Sequence, residues 1–204
     1  MKRVIMLIAV FILVVSCKEE AKSSKKSTNK EKETAKTKVE PANLSTDKEQ
    51  LLATTIAYFK NCKATAENRN DCRNSITKMI SEFYTIDDFK NENGEFVIYD
   101  SIQPIIKKSD TWIKLGNASD QEALNKAQQA ANNGKATVAI DVSESYGQVA
   151  MIIPGKLTNS GSWKLQVPNA AALVNYSADK SFMDKSLSYA FKSAENIVLF
   201  SKER

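Results

Sequence analysis

Gly134-Lys135-Ala136-Thr137-Val138-Ala139-Ile140-Asp141-Val142, followed by Val149-Ala150-Met151-Ile152-Ile153, is where the pattern of the chain changes from helix to strand. Both runs are short, apolar and rich in β-branched residues, the composition of strands buried in a sheet. Trp163 to Val167, set between Pro154-Gly155 and Pro168-Asn169, predicts a further strand, and Ile197 to Ser201 a last one. Upstream the apolar residues recur at helical spacing. Thr46 with Glu49 forms a capping box before Leu51, Leu52, Ile56 and Phe59, which predicts a helix ending near Asn61. A second helix is expected from Cys72 to Phe83, with Ile76, Met79, Ile80 and Phe83 on one face and Asn70 or Asp71 as its cap. A third follows Ser119 and Glu122, carries Leu124, Ala127, Ala130 and Ala131, and closes at Gly134. Helices followed by strands argue for an α+β domain, a small antiparallel sheet with helices packed on one side.

The first residues carry a different signal. Lys2 and Arg3 precede an apolar run from Val4 to Val15, too short to span a bilayer, and Val14-Val15-Ser16-Cys17 resembles the lipobox of bacterial lipoproteins. The resemblance implies that residues 1–16 are a signal peptide and that Cys17 becomes the acylated first residue, carrying diacylglycerol and palmitate-type chains. Two or three chains anchor a protein far more firmly than one. Residues 17–45 are mostly Lys, Glu, Ser, Thr and Ala and are expected to be a solvated tether. Cys17-Lys18-Glu19-Glu20 resembles a surface-export signal of some Gram-negative lipoproteins. The expected location is therefore the cell envelope, at the outer membrane, with surface exposure left open.

The net charge of +5 belongs to the leader and tether, because residues 50–204 hold eighteen Lys and Arg against seventeen Asp and Glu. A near-neutral domain lacks the basic footprint of a nucleic-acid binder. Asp87-Asp88 and Asp141-Glu144 lack the spacing of a metal loop, so neither a metal site nor a cofactor is expected.

Asn70-Asp71-Cys72-Arg73-Asn74, then Ser109-Asp110-Thr111-Trp112-Ile113-Lys114-Leu115-Gly116, and then Gly147-Gln148-Val149-Ala150-Met151-Ile152-Ile153-Pro154-Gly155 together resemble the papain-like cell-wall cysteine peptidases and amidases of the NlpC type. Ser160-Gly161-Ser162-Trp163 with Val167-Pro168 extends the likeness over most of residues 46–204. It implies a papain-like domain in which Cys72 stands where the family has its nucleophile and Gln148 where it has its catalytic histidine. A thiol attacks as thiolate and needs a base of near-neutral pKa to take its proton. The chain has no histidine, and an amide cannot take up a proton near neutral pH. Asp141, Glu144 and Lys156 are near Gln148 in sequence but match no family position. Gln166 and Asn169 are the two candidates for the family's orienting residue.

After Cys17, Cys62 and Cys72 remain, and the sequence leaves open whether they form a disulfide or leave Cys72 free. Tyr146, Trp163 and Asn169 are the expected ligand-binding neighbours of Gln148. The implied function is a degenerate, hydrolase-like domain that binds a peptide, a peptidoglycan stem or an envelope protein. An active amidase using Cys72 with another base, and an interaction lipoprotein without a working cleft, are the alternatives.

Overall fold

The apolar spacing in the first half of the chain produces four α-helices in the computed structural model, which describes residues 37–68, 72–143 and 147–203. Residues 1–16, expected from sequence to be a signal peptide, and Cys17, Asn70, Asp71, Glu144 and Tyr146 lie outside the described residues. Helix α1 spans Thr46–Thr65 and buries Leu52, Thr55 and Phe59, three or four residues apart. Its capping residue is Ser45, with no side-chain cap bond, so the expected Thr46 box is not formed. The helix also outruns Asn61, which places Cys62 inside its last turn. Helix α2, Ser75–Tyr84, buries Ile76, Met79, Ile80 and Phe83 as expected. It starts three residues later than the sequence suggested, because Cys72 has φ +68°, a left-handed conformation that cannot continue a helix. Helix α3, Ile102–Lys108, was not foreseen, since Pro104 reads as a breaker. In the first turn a proline gives up only an N–H that has no helical partner. Helix α4 spans Gln121–Asn132. Asp120, in place of Ser119, caps it by accepting the Glu122 N–H at 2.9 Å, and Gly134 closes the turn at φ +74°.

Eight strands follow or interleave: β1 (Trp112–Asn117), β2 (Thr137–Asp141), β3 (Val149–Ile152), β4 (Thr158–Ser160), β5 (Leu165–Val167), β6 (Asn169–Ala172), β7 (Phe182–Ser186) and β8 (Ile197–Lys202). Six of them form one sheet in the order β1-β8-β2-β3-β6-β7, and β4 with β5 makes a separate hairpin. Every adjacent pair in the six-stranded sheet is antiparallel, in a register set by Val138↔Phe200, Val138↔Met151 and Met151↔Ala171. Because β1 and β2 flank β8, they run parallel to each other, and α4 is the crossover between them.

Strand alternation divides the core by face. Val138, Ile140, Met151 and Phe200 meet Leu52, Phe59, Met79, Phe83 and Ile106 from α1, α2 and α3. Their neighbours Ala139, Ala150, Ile152, Ala170, Ala172 and Leu199 face the other way, onto Ala123, Leu124, Ala127 and Ala131 of α4. Helices therefore cover both faces of the sheet, a correction to the one-sided packing expected. The small residues facing each other let α4 lie close on the sheet.

The described residues all belong to one compact unit. Residues 37–45, read from composition as the end of a tether, cross α4: the Glu40 N–H donates to Gln129 Oε1 at 2.9 Å, and Asn132 Nδ2 donates to the Glu40 carbonyl at 2.5 Å.

Candidate functional site

The C-terminal end of β2 and the start of β3 form one end of the sheet, where Asp141 and Gln148 are held together by a hydrogen bond from the Asp141 N–H to the Gln148 carbonyl at 3.0 Å. Gly147 makes this approach possible. A Cβ on it would lie 2.0 Å from the Asp141 carbonyl oxygen, so no other residue fits without moving backbone. A cavity of about 690 Å³ opens here, lined by Gln148 and Asp141, by Asn175 and Tyr176 beyond β6, by Ile76 in the first turn of α2, and by Tyr99. A second cavity of about 450 Å³ shares Asp141, Gln148 and Tyr176 with it and extends toward Phe191 and Asn196. Together they make a groove. Tyr176 stands 72% exposed over it.

Gln148 has a definite task in this geometry. The β3–β6 ladder ends at Met151↔Ala171, and beyond that point the Gln148 side chain donates from Nε2 to the carbonyls of Val149 and Leu173, both at 3.0 Å. Both amide hydrogens are spent on backbone. The side chain thus prolongs the strand pairing and turns only its carbonyl oxygen to other partners.

The sulfur of Cys72 is bonded to that of Cys62, with their Cα atoms 6.2 Å apart. This settles the alternative left open by the sequence: no Cys72 thiol is present to become a thiolate. The next residue is fixed as well. Arg73 pairs with Asp100, lies over the Tyr99 ring at 5.3 Å, and has its pKa raised above the ordinary arginine value by the hydrogen bond to Asp100. The Cys72 segment is therefore stitched to the end of α1 and to the turn before α3. A groove built this way offers hydrogen bonds and aromatic surface, and within it the Ser143 hydroxyl donates to Asp141 Oδ1 at 2.6 Å.

Other residues singled out from sequence are placed elsewhere. Asn169 is buried, donates its N–H to Gln128 Oε1 at 2.6 Å, and donates from Nδ2 to the Pro154 carbonyl and to Asp184 Oδ1 at 3.0 and 2.8 Å. It lines a different cavity, of about 510 Å³, shared with Lys156 and Asp184. Gln166 exchanges backbone hydrogen bonds with the Gln121 side chain on the α4 side. Trp163 precedes β5 rather than opening it and is buried in the cluster under α4, where its indole N–H has no partner. Trp112 is buried as well, with Nε1 donating to Asp88 at 3.0 Å. None of these four lines the Gln148 groove. Asn175, Tyr176 and Tyr99, which do, carried no sequence signal beyond an exposed-looking Asn-Tyr after the apolar run Ala170 to Val174.

Among the described residues no group of three or more metal-ligating side chains converges, and no helix is long and apolar enough to cross a membrane. No protein-family model matches the chain, and no curated protein matches it either.

Proposed function

We propose that this protein is a lipoprotein of the cell envelope, anchored through Cys17 at the outer membrane, whose folded domain binds rather than cleaves. Its ligand, on this reading, is a peptide, with the peptidoglycan stem as the leading case and an envelope protein as the other. The observation that carries the reading is the state of the Gln148 groove: the cavity is open and lined by Gln148, Asp141, Asn175, Tyr99 and Tyr176, while the sulfur of Cys72 is tied to Cys62. Recognition needs shape and polar groups only, and it survives the loss of proton transfer because ground-state binding and transition-state stabilisation are separable. The support for a papain-like ancestry is limited to Ile76, in the helix that follows Cys72, and Gln148 lining one cavity; Cys72 itself is not part of that lining.

Titrating the full-length chain with soluble stem peptides by calorimetry tests this. Saturable binding that Tyr176→Ala weakens, without release of peptide fragments, is the expected result. Thiol-dependent fragment release would overturn the non-hydrolytic part and favour an enzyme with a base from a partner. The bonds from Gln148 to Val149 and Leu173 favour a second reading, in which the groove has no ligand and Gln148 is only a brace. Under it, Gln148→Ala lowers the unfolding midpoint and no peptide binds.

A further inference from the structure

A smaller cleft, sharing no residue with the Gln148 groove, lies between the turn joining β4 to β5 and the segment after β7. It has a volume of about 350 Å³, and its walls are Asn159, Ser160 and Ser162 on one side and Ser186, Ser188 and Tyr189 on the other. Both walls are fixed from below. Trp163 and Leu187, buried in the α4-side cluster, anchor the two serine-bearing segments from below. Ser160 is itself 93% buried, at 7% exposure, and its oxygen accepts the Trp163 N–H at 3.3 Å.

The hydroxyls come in pairs. Ser160 and Ser162 are hydrogen-bonded at 3.2 Å and Ser186 and Ser188 at 2.8 Å, with either oxygen able to donate. Each pair uses one hydrogen internally and keeps one for a ligand, beside free lone pairs. Each wall can thus both give and accept, and it can exchange those roles by rotating two hydroxyls. Beside them Tyr189 stands 68% exposed. Its ring is steadied by the edge contact with Phe182 at 6.1 Å and by Lys185 Nζ, 5.3 Å from the ring centre. The tip of the opposite turn, Gly161, has no atom within 4 Å of where a Cβ would sit, so the mouth is open.

We infer that this cleft is a binding site for a neutral saccharide, one pyranose unit lying on the Tyr189 ring with adjacent ring hydroxyls meeting the two serine pairs. A vicinal diol is the ligand whose groups are each donor and acceptor at the spacing of a hydroxyl pair, and the C–H face of the sugar supplies apolar area for the ring. The residues that line the cleft are all uncharged, and the Lys185 ammonium near it is engaged by the Tyr189 ring, which favours a neutral occupant over an anion or a cation. The site is independent of the peptide groove, so either proposal can fail without the other.

The test uses the full-length chain with maltotriose and with the N-acetylglucosamine trisaccharide, followed by saturation-transfer NMR and calorimetry, and inorganic phosphate as a charged control. Saturable binding of at least one trisaccharide is expected, with affinity lowered at least tenfold by Tyr189→Ala, retained in Tyr189→Phe, and lowered several-fold by the double change Ser186→Ala with Ser188→Ala. Unfolding midpoints of the variants, measured alongside, should match the parent chain because these groups are at the surface. The inference is overturned if neither trisaccharide saturates, if Tyr189→Ala binds as well as the parent, or if phosphate displaces the sugar.

Discussion

Opening the Cys62–Cys72 bridge, by reduction or by Cys62→Ser with Cys72→Ser, should lower stability by about 2.7 kcal/mol. The two cysteines are ten residues apart, and a cross-link closing a loop of that size removes roughly 9 cal/mol/K of entropy from the unfolded chain. In a unit of this size the midpoint of thermal unfolding then falls by roughly 5–10 °C. The left-handed backbone of Cys72 adds a second, signed expectation. A side chain held there costs about 1–2 kcal/mol, and glycine escapes that cost while losing about 0.5–1 kcal/mol through its freer unfolded state. Cys62→Ser with Cys72→Gly should therefore be about 0.5 kcal/mol more stable than the double serine variant. Urea titrations of the oxidised, reduced and variant chains, compared by midpoint and slope, measure both effects. A reduced chain within about 1 kcal/mol of the oxidised one would refute the entropic argument, and a double serine variant more stable than its glycine counterpart would refute the backbone one.

Gln128 is fully buried and bonds to the Ile153 carbonyl, the Asn169 N–H and Asn132, so Gln128→Leu should cost about 3 kcal/mol by stranding two interior backbone groups. Lys126→Ala, on the exposed side of the same helix, should stay within about 0.5 kcal/mol in the same urea assay. Gly147→Ala forces a Cβ into the Asp141 carbonyl and should lower stability by about 2 kcal/mol or more while weakening peptide binding, read by calorimetry. Burial pushes the Tyr84 phenol above its ordinary value of 10, and its O–H donates to the Ile152 carbonyl. Because the raised group stays protonated when folded, its contribution is complete below about pH 10 and is lost as the unfolded chain ionises above it. Tyr84→Phe should flatten the alkaline fall in stability, measured as urea midpoints from about pH 9 to 11.

The elements that sequence revealed are those whose burial is written in local spacing. The apolar stripe of α2, the Gly134 stop of α4, and the β-branched runs of β2, β3 and β8 needed no knowledge of partners. Strand β6, Asn169-Ala-Ala-Ala, gave no such sign because alanine favours helix on its own. It is a strand because α4 presents Ala123, Ala127 and Ala131 to the same core, where larger side chains would hold the layers apart. Strand β1 was equally hidden, since its central residues are exposed or half-buried and its pairing with β8 joins segments more than eighty residues apart. Position 148 stands out in sequence only as the place where the resembled family keeps its histidine. Its bond to Leu173 was not legible, because that partner is brought in by the β3–β6 register rather than by any motif.

The position of β8 bears on how the chain can be made. The last strand in sequence sits between β1 and β2, so until Lys202 has emerged those two have no shared neighbour and the crossover through α4 bridges a gap. Assembly of this sheet must wait until β8 has been made, and pairings this distant are slow to form. A chain lacking β8 leaves β1 and β2 without their shared neighbour, two open edges able to pair with other chains.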